Sequence, residues 1–316
     1  MTTTLSDMIN EVSMNLSGYT LTQDRSTYLR TAVTGTTSSS ASPTTLSLGS
    51  TENVGKGIIE IDEELFWIDT YDRIGNTATV APYGRGYLGT TAATHALDAK
   101  VTIAPTFPRF SIKRAINDTI KGLSGTLFAA DTTTITYSSA VSTYRLPATG
   151  DSLNIRNILS VAYESIGPSK EWIPIRSWRL DSNANITSFD SEQTISIYDM
   201  ITSGRTIQIV YSKDPTPFPE LATLALTNAQ VFTSITGLPA SCRDLIITGT
   251  TYRLLSNLDP ARAAMVSAQA DETDSKRPYG SSQSLTRQIY ALYTQRLAEE
   301  VKSQQNKYPI RVHYSL

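Results

Sequence analysis

Cysteine is nearly missing. The 316 residues include 1, Cys242, and one thiol closes no disulfide within the chain, so nothing points to an oxidising compartment. Cys242 lies in an apolar segment, where a buried, inert thiol is expected rather than a nucleophile. Histidine is as scarce, with 2 residues, His95 and His313. Two separated histidines and one cysteine supply no zinc set at known spacings, and there is no DxDxDG calcium loop. No cofactor or metal is expected. Charged residues make up 18%, below the roughly 25% of an average soluble domain. The net charge is −2 and the pI about 5.8, so no global field captures nucleic acid. The densest basic stretch, residues 302–311, carries only Lys302, Lys307 and Arg311, a composition expected of a solvated helix end. No apolar run approaches the roughly 18–20 residues that span a bilayer. The opening MTTTLSDMINEV lacks the basic start and apolar core of a signal peptide. These absences lead us to expect a soluble chain made in a cytoplasm, with no membrane partner.

What fills the space is Ser, Thr, Asn, Gln and 16 Tyr beside 40% hydrophobic residues. That content suits extended strands and broad, wet protein interfaces, and the length allows two or three domains at ~100–200 residues each. Leu5, Met8, Ile9, Val12 and Leu16 repeat with a 3.6 period, predicting a helix over 4–16 with Ser6 and Asp7 near its start. Residues 28–32 read as a second short helical piece. A Gly/Ser/Thr/Pro linker at 34–45 leads into short strands up to residue 103. A helix is predicted over 109–123, with Ile112, Ala115, Ile116, Ile120 and Leu123 on one face and Gly122 and Gly125 at its stop. Segments over 131–212 recur every 10–15 residues between Gly, Pro, Asn and Asp, the spacing of an antiparallel sandwich. After the proline-rich 214–220, helices are predicted over 239–258 and 284–306, with a loop around 276–282. Leu285, Ile289, Leu292, Leu297 and Val301 mark the apolar face of the last one, and Arg296 and Glu300 are spaced to pair. Pro309 ends it.

Each helix has one apolar face, so the helices are expected to pack together. The fold class predicted is α+β: a discontinuous helical bundle core with two inserted antiparallel β-domains, one small and one a β-sandwich. The divisions are 1–33 (helical core), 43–104 (small β-domain), 105–126 (core helix), 127–218 (sandwich), 219–306 (core helices) and 307–316 (extended arm).

Four patterns could carry chemistry. Gly84, Arg85, Gly86, Tyr87, Leu88 and Gly89 spell GxGxxG, but a dinucleotide site needs a following helix, a parallel βαβ unit and an acidic residue about 20 positions on. The chain instead reaches a strand at 100–103, so these glycines read as a tight loop needing positive φ. His95 has no GxSxG partner and reads as a hydrogen-bonded structural histidine. Asp62, Glu63 and Glu64 read as a charged turn, since adjacent side chains on a strand diverge rather than pair as in a glycosidase. Trp67, Trp172 and Trp178 lie among apolar strand residues and read as packing.

The stretch from Val80 to His95, with Arg85, Gly86, Gly89, Thr90 and His95 spelling RGxxGTxxxxH, resembles one found in structural proteins of tailed-phage particles. The later half is similar to head-to-tail adaptor (connector) proteins of tailed bacteriophages. There Trp172-Ile173-Pro174-Ile175-Arg176-Ser177-Trp178 and Ile209-Val210-Tyr211 fall in a β-insertion within a helical core. Arg296-Leu297-Ala298-Glu299-Glu300, with its Tyr308-Pro309 exit, follows the same plan. The resemblance spans about residues 50–316 and carries no catalytic residues. It implies a virion neck protein, assembled in the host cytoplasm, that forms a twelve-fold ring of identical copies. Its partners would be the portal protein and tail or neck proteins, with DNA passing through the channel without sequence-specific binding. The arm Lys307, Tyr308, Pro309, Ile310, Arg311, Val312, His313 and Tyr314 is expected to dock on the portal, its YPIRVHY run adding backbone pairing to a neighbour's edge. The competing expectations are a tail-side or receptor protein that binds carbohydrate on its β-domains, and an enzyme of unknown type.

Overall fold

The computed structural model describes residues 2–20, 24–35, 44–146, 155–167, 170–184, 193–221, 224–256 and 281–309. The chain is α+β with antiparallel sheets. Helix α1 (Leu5–Thr20) opens with a reciprocal cap: Thr4 N–H donates to Asp7 Oδ2 at 2.9 Å, and Asp7 N–H donates to Thr4 Oγ1 at 3.3 Å. Two otherwise orphaned backbone donors are thereby satisfied.

Residues 28–32 are not helical. β1 (Arg25–Tyr28) pairs with β6 (Lys100–Ile103), Thr27 opposite Val101, and Leu29 bridges Leu48. Strand pairing wins because Leu29 and Val33 bury in the sheet's own core. The helical part of the first division therefore ends at Thr20, and residues 25–33 belong to the small β-module. Its remaining strands are β2 (Thr45–Ser47), β3 (Gly57–Ile61), β4 (Glu64–Asp72) and β5 (Thr77–Val80), in the antiparallel order β1-β6-β3-β4-β5-β2. One apolar cluster of Leu46, Ile59, Phe66, Ile68, Val80 and Val101 fills it.

The sandwich expected over 131–212 contains β7 (Ala129–Thr136), β8 (Thr143–Arg145), β9 (Ile155–Glu164), β10 (Trp172–Pro174), β11 (Trp178–Asp181), β12 (Thr194–Ile197) and β13 (Thr206–Lys213). They form two antiparallel sheets, β10-β9-β13-β7 and β11-β12-β8. Ile207 and Ile209 of the first and Ile195 and Ile197 of the second meet in one core, as period-2 alternation requires.

The other helices are α2 (Arg109–Gly122), the short α3 (Leu224–Asn228) and α4 (Phe232–Thr236), α5 (Cys242–Ser256) and the 27-residue α6 (Ser281–Lys307). Ser281 and Ser282, expected in a loop, start α6; the rest of that loop lies outside the described residues. Apolar faces of α1, α2, α5 and α6 share a third cluster. α5 sits at its centre and is buried on several sides, at Leu245, Ile246, Ile247, Leu254 and Leu255. Gly249 makes this possible: a Cβ there would stand 2.8 Å from both Thr119 Cγ2 of α2 and Tyr293 Cε2 of α6.

Two expectations for α6 are corrected. Leu292 is 55% exposed, and Tyr293 takes its place against the core. Arg296 pairs with Glu299 at 2.8 Å, because Glu300 faces inward, where it accepts Ser241 Oγ at 2.8 Å and Cys242 Sγ at 3.5 Å. Burial, together with the Glu300 carboxylate, pushes the Cys242 thiol up to about 12, so it stays protonated and unreactive.

Ile116 is fully buried among α1, α2 and α5. Ile116→Ala should lower unfolding free energy by about 2–5 kcal/mol in urea titrations, whereas Met14→Ala, on the exposed face of α1, should stay within about 0.5 kcal/mol.

Candidate functional site

The turn joining β3 to β4 has two residues, since Ile61 pairs with Glu64, and Asp62 takes φ 57 there. This turn sends three adjacent carboxylates two ways: Asp62 and Glu64 to His95 on one side, Glu63 to Lys113 on the other.

Glu64 points inward, its side chain 1% exposed. Arg85 grips it with two parallel bonds, Nε to Oε1 at 3.0 Å and Nη2 to Oε2 at 2.9 Å. Gly86 N–H adds a bond to Oε1 at 3.1 Å and Ala93 N–H one to Oε2 at 2.8 Å. His95 Nε2 lies 2.9 Å from Oε2, while its Nδ1 lies 2.7 Å from Asp62 Oδ2. Arg85 also donates to the Gly35 and Ala93 carbonyls and stacks over Phe66 at 5.2 Å. Burial alone would push the Glu64 carboxyl up, but the His95, Arg85 and Ala93 bonds outweigh it and hold the pKa below the ordinary value. Burial would likewise depress His95, yet the hydrogen bonds that its ring donates to Asp62 and Glu64 raise it. With a carboxylate on each ring nitrogen, His95 is favoured as an imidazolium that donates twice. Two carboxylates, Glu64 buried and Asp62 half-exposed, then face two cations, and the charge of the cluster sums to zero.

The glycine loop that the sequence predicts thus wraps around Glu64, one residue of the charged turn. Gly84 is needed for close approach, since a Cβ there would meet the Ala81 and Trp67 carbonyls at 2.8 Å. Gly86 combines φ 61 with a Cβ position 2.7 Å from the Thr90 carbonyl, and Gly89 has φ 82. The missed signal was a carboxylate placed in the apolar strand run Glu64-Leu65-Phe66-Trp67, where a buried cation had to answer it.

Glu63 leaves the turn on the other side. Its carboxylate takes Lys113 of α2 at 2.8 Å, and Asn228 of α3 donates to it at 2.8 Å. Lys113 also reaches Glu220 at 3.0 Å. Glu60 of β3 accepts the first backbone N–H of α2, from Arg109, at 2.6 Å. An acceptor borrowed from the sheet thereby caps a helix whose N-cap residue is Pro108 and has no capping side chain. Burial pushes Glu60 up to about 7, with the Arg109 N–H opposing it. These joints floor a cleft of about 290 Å³ between module and helices, lined by Asp24, Glu60, Asp62, Lys100, Arg109 and Asn228 among others. Among the described residues no group of three or more His, Cys, Asp or Glu side chains is placed to hold a metal ion.

The predicted arm begins at a second cleft, of about 270 Å³, bordered by Leu127, Phe128, Leu238, Cys242, Ser303 and Tyr308. Gln304 clamps the start of the sandwich: Phe128 N–H donates to its Oε1 at 3.2 Å, and its Nε2 donates to the Phe128 carbonyl at 2.6 Å. The Tyr308 ring lies 5.8 Å from that of Phe128, and Lys307 Nζ lies 5.4 Å over Tyr308. Lys307 belongs to α6, so the arm starts with Tyr308 and Pro309; Ile310, Arg311, Val312, His313 and Tyr314 lie outside the described residues. Compared with models of known protein families and with curated proteins, the chain matches none.

Arg85→Leu strands a buried carboxylate and should cost about 3–5 kcal/mol, read as a lowered denaturant midpoint. The Glu60 carboxyl rises from 4.5 to about 7 on folding, so the folded chain holds a proton that the unfolded chain releases. Stability contributed by that proton is present below pH 4.5 and lost as pH rises to about 7. Glu60→Gln should therefore flatten the melting temperature across that window; an unchanged slope would assign it to other groups.

Proposed function

We propose that this chain is a structural virion protein: a head-to-tail adaptor whose copies form a ring beneath the portal and join it to the tail, leaving a channel for DNA. The architecture behind the proposal is a discontinuous helical hub with two inserted β-domains. The observation that supports it is the third cluster: Leu5 and Val12, Ile116 and Ile120, Leu245 and Leu255, and Ile289 come from the start, middle and end of the chain into one core. A hub of this kind holds the two β-modules, each with a core of its own, as outward-facing attachments. The carboxylate, arginine and histidine that could suggest catalysis are spent on one another. No described helix is long and apolar enough to cross a membrane. On this reading the partners are the portal, tail or neck proteins and identical copies, in a virion neck assembled in the host cytoplasm.

A tail-side, glycan-binding reading draws on Trp172, 42% exposed on the edge strand β10. Trp67 and Trp178 are half-buried, so they do not join it in an exposed platform of tryptophans.

Mixing the purified chain with its portal and imaging by electron microscopy should show a closed ring of copies on the portal. Removal of residues 307–316 should abolish that binding while the melting temperature of the monomer stays within a few degrees. A truncated chain that still decorates the portal would overturn the role of the arm, and a full-length chain that never does would overturn the adaptor.

A further inference from the structure

The small β-module and the helical hub have separate apolar cores: no residue of one cluster belongs to the other. The chain crosses between them twice, from Thr20 of α1 to Arg25 of β1 and from Ile103 of β6 to Arg109 of α2. Arg25 lies opposite Ile103 in the β1–β6 ladder, so both crossings leave the module at one corner. Residues 104–108 belong to no helix or strand. Two crossings at a single corner are the covalent geometry of a hinge. The fastenings beyond them are polar or ionic: Glu60 to the Arg109 N–H, and Glu63 to Lys113 and Asn228. The cleft of about 290 Å³ lies beside these fastenings. The module therefore has space to move, and no shared apolar core among the described residues resists it.

Glu60 sits in this joint with 4% of its surface exposed. α2 brings Arg109 to it and, through Glu63, Lys113. The β3–β4 turn brings Asp62 and Glu63, β6 brings Lys100, and Asp24 stands before β1. α1 and α3 bring the neutral Ser13 and Asn228. Burial is the main obstacle to a charge on Glu60; Arg109 opposes it, Glu63 and Asp24 reinforce it, and the carboxyl rises to about 7. Withdrawal of α2 returns water to Glu60 and removes that obstacle. The closed joint thus binds the proton more tightly than an open one, so the proton favours closure and its loss favours opening. A carboxyl at about 7 when closed and 4.5 when open favours opening, once ionised, by a factor of about 300.

We propose that the small β-module is a pH-operated hinge, closed on the hub while Glu60 is protonated and swinging about the corner at Arg25 and Ile103 once Glu60 is ionised. The inference is independent of the ring reading, since a single copy in solution displays it.

Single-molecule energy transfer on the full chain tests this. Met14→Cys on α1 and Ile74→Cys in the β4–β5 turn, positions 69% and 95% exposed, place one dye on the hub and one on the end of the module remote from the β3–β4 turn. The native Cys242 is buried and held protonated, so it takes no dye. Between pH 5.5 and pH 8 the ratio of open to closed molecules should rise about 25-fold. Adding Glu60→Gln, which keeps the acceptor for Arg109 but carries no charge, should hold the ratio at its acid value at both pH values. Matching thermal melts verify that this variant is folded. Where they differ, Asp24→Asn at an exposed position takes its place and should move the transition to lower pH, because Asp24 helps to raise Glu60. Energy transfer that is the same at both pH values, or a pH response that the folded variant leaves unchanged, overturns the hinge.

Discussion

The structure depends on a constraint of one-sided helices. An amphipathic helix of 14 or 16 residues, the lengths of α2 and α1, is marginal in water and gains its stability by burying its stripe. α1, α2 and α6 present such stripes, and α5 is the element that receives them. Because α5 is itself flanked on several sides, it must be lean where its neighbours come close, and Gly249 lies at the point where α2 and α6 both press on it. Two of the strand-rich regions that lie between helices have apolar cores of their own.

Polar chemistry does a different job: it joins layers that apolar packing leaves separate. Of three consecutive carboxylates Glu63 and Glu64 are buried, and each of the three has a specific partner. Glu64 and Asp62 close onto Arg85 and His95 and hold the glycine loop in place. Glu63 crosses to Lys113, and Glu60 caps α2. Buried ion pairs of this sort contribute more to defining one arrangement than to net stability. Here they fix how the small sheet meets the helices, since a shift of the β3–β4 turn would break contacts on both of its sides.

Much of this was legible from periodicity. The stripe Leu5, Met8, Ile9, Val12, Leu16 and the alternation at Thr206–Lys213 are buried as their spacings require. Residues 28–32 misled because a run as short as Tyr28-Leu29-Arg30 carries no period, and pairing with β6, 72 or more residues on, decided its state. Leu292 misled because helical spacing leaves neighbours such as Leu292 and Tyr293 to compete for one edge of a stripe. The ionic joints were hidden for another reason. Arg85, Glu64 and Lys113 are separated by tens of residues, and only the turn geometry at Asp62 shows which carboxylate faces which cation.

Amide hydrogen exchange followed by mass spectrometry bears most directly on the claim that helices from the start, middle and end of the chain form one hub. In mild denaturant, peptides from α1, α2, α5 and the buried face of α6 should lose protection together, with a single opening free energy, distinct from that of the sandwich. If α1 or α6 instead exchanges early and independently of α5, the helices are separate attachments and the hub does not exist.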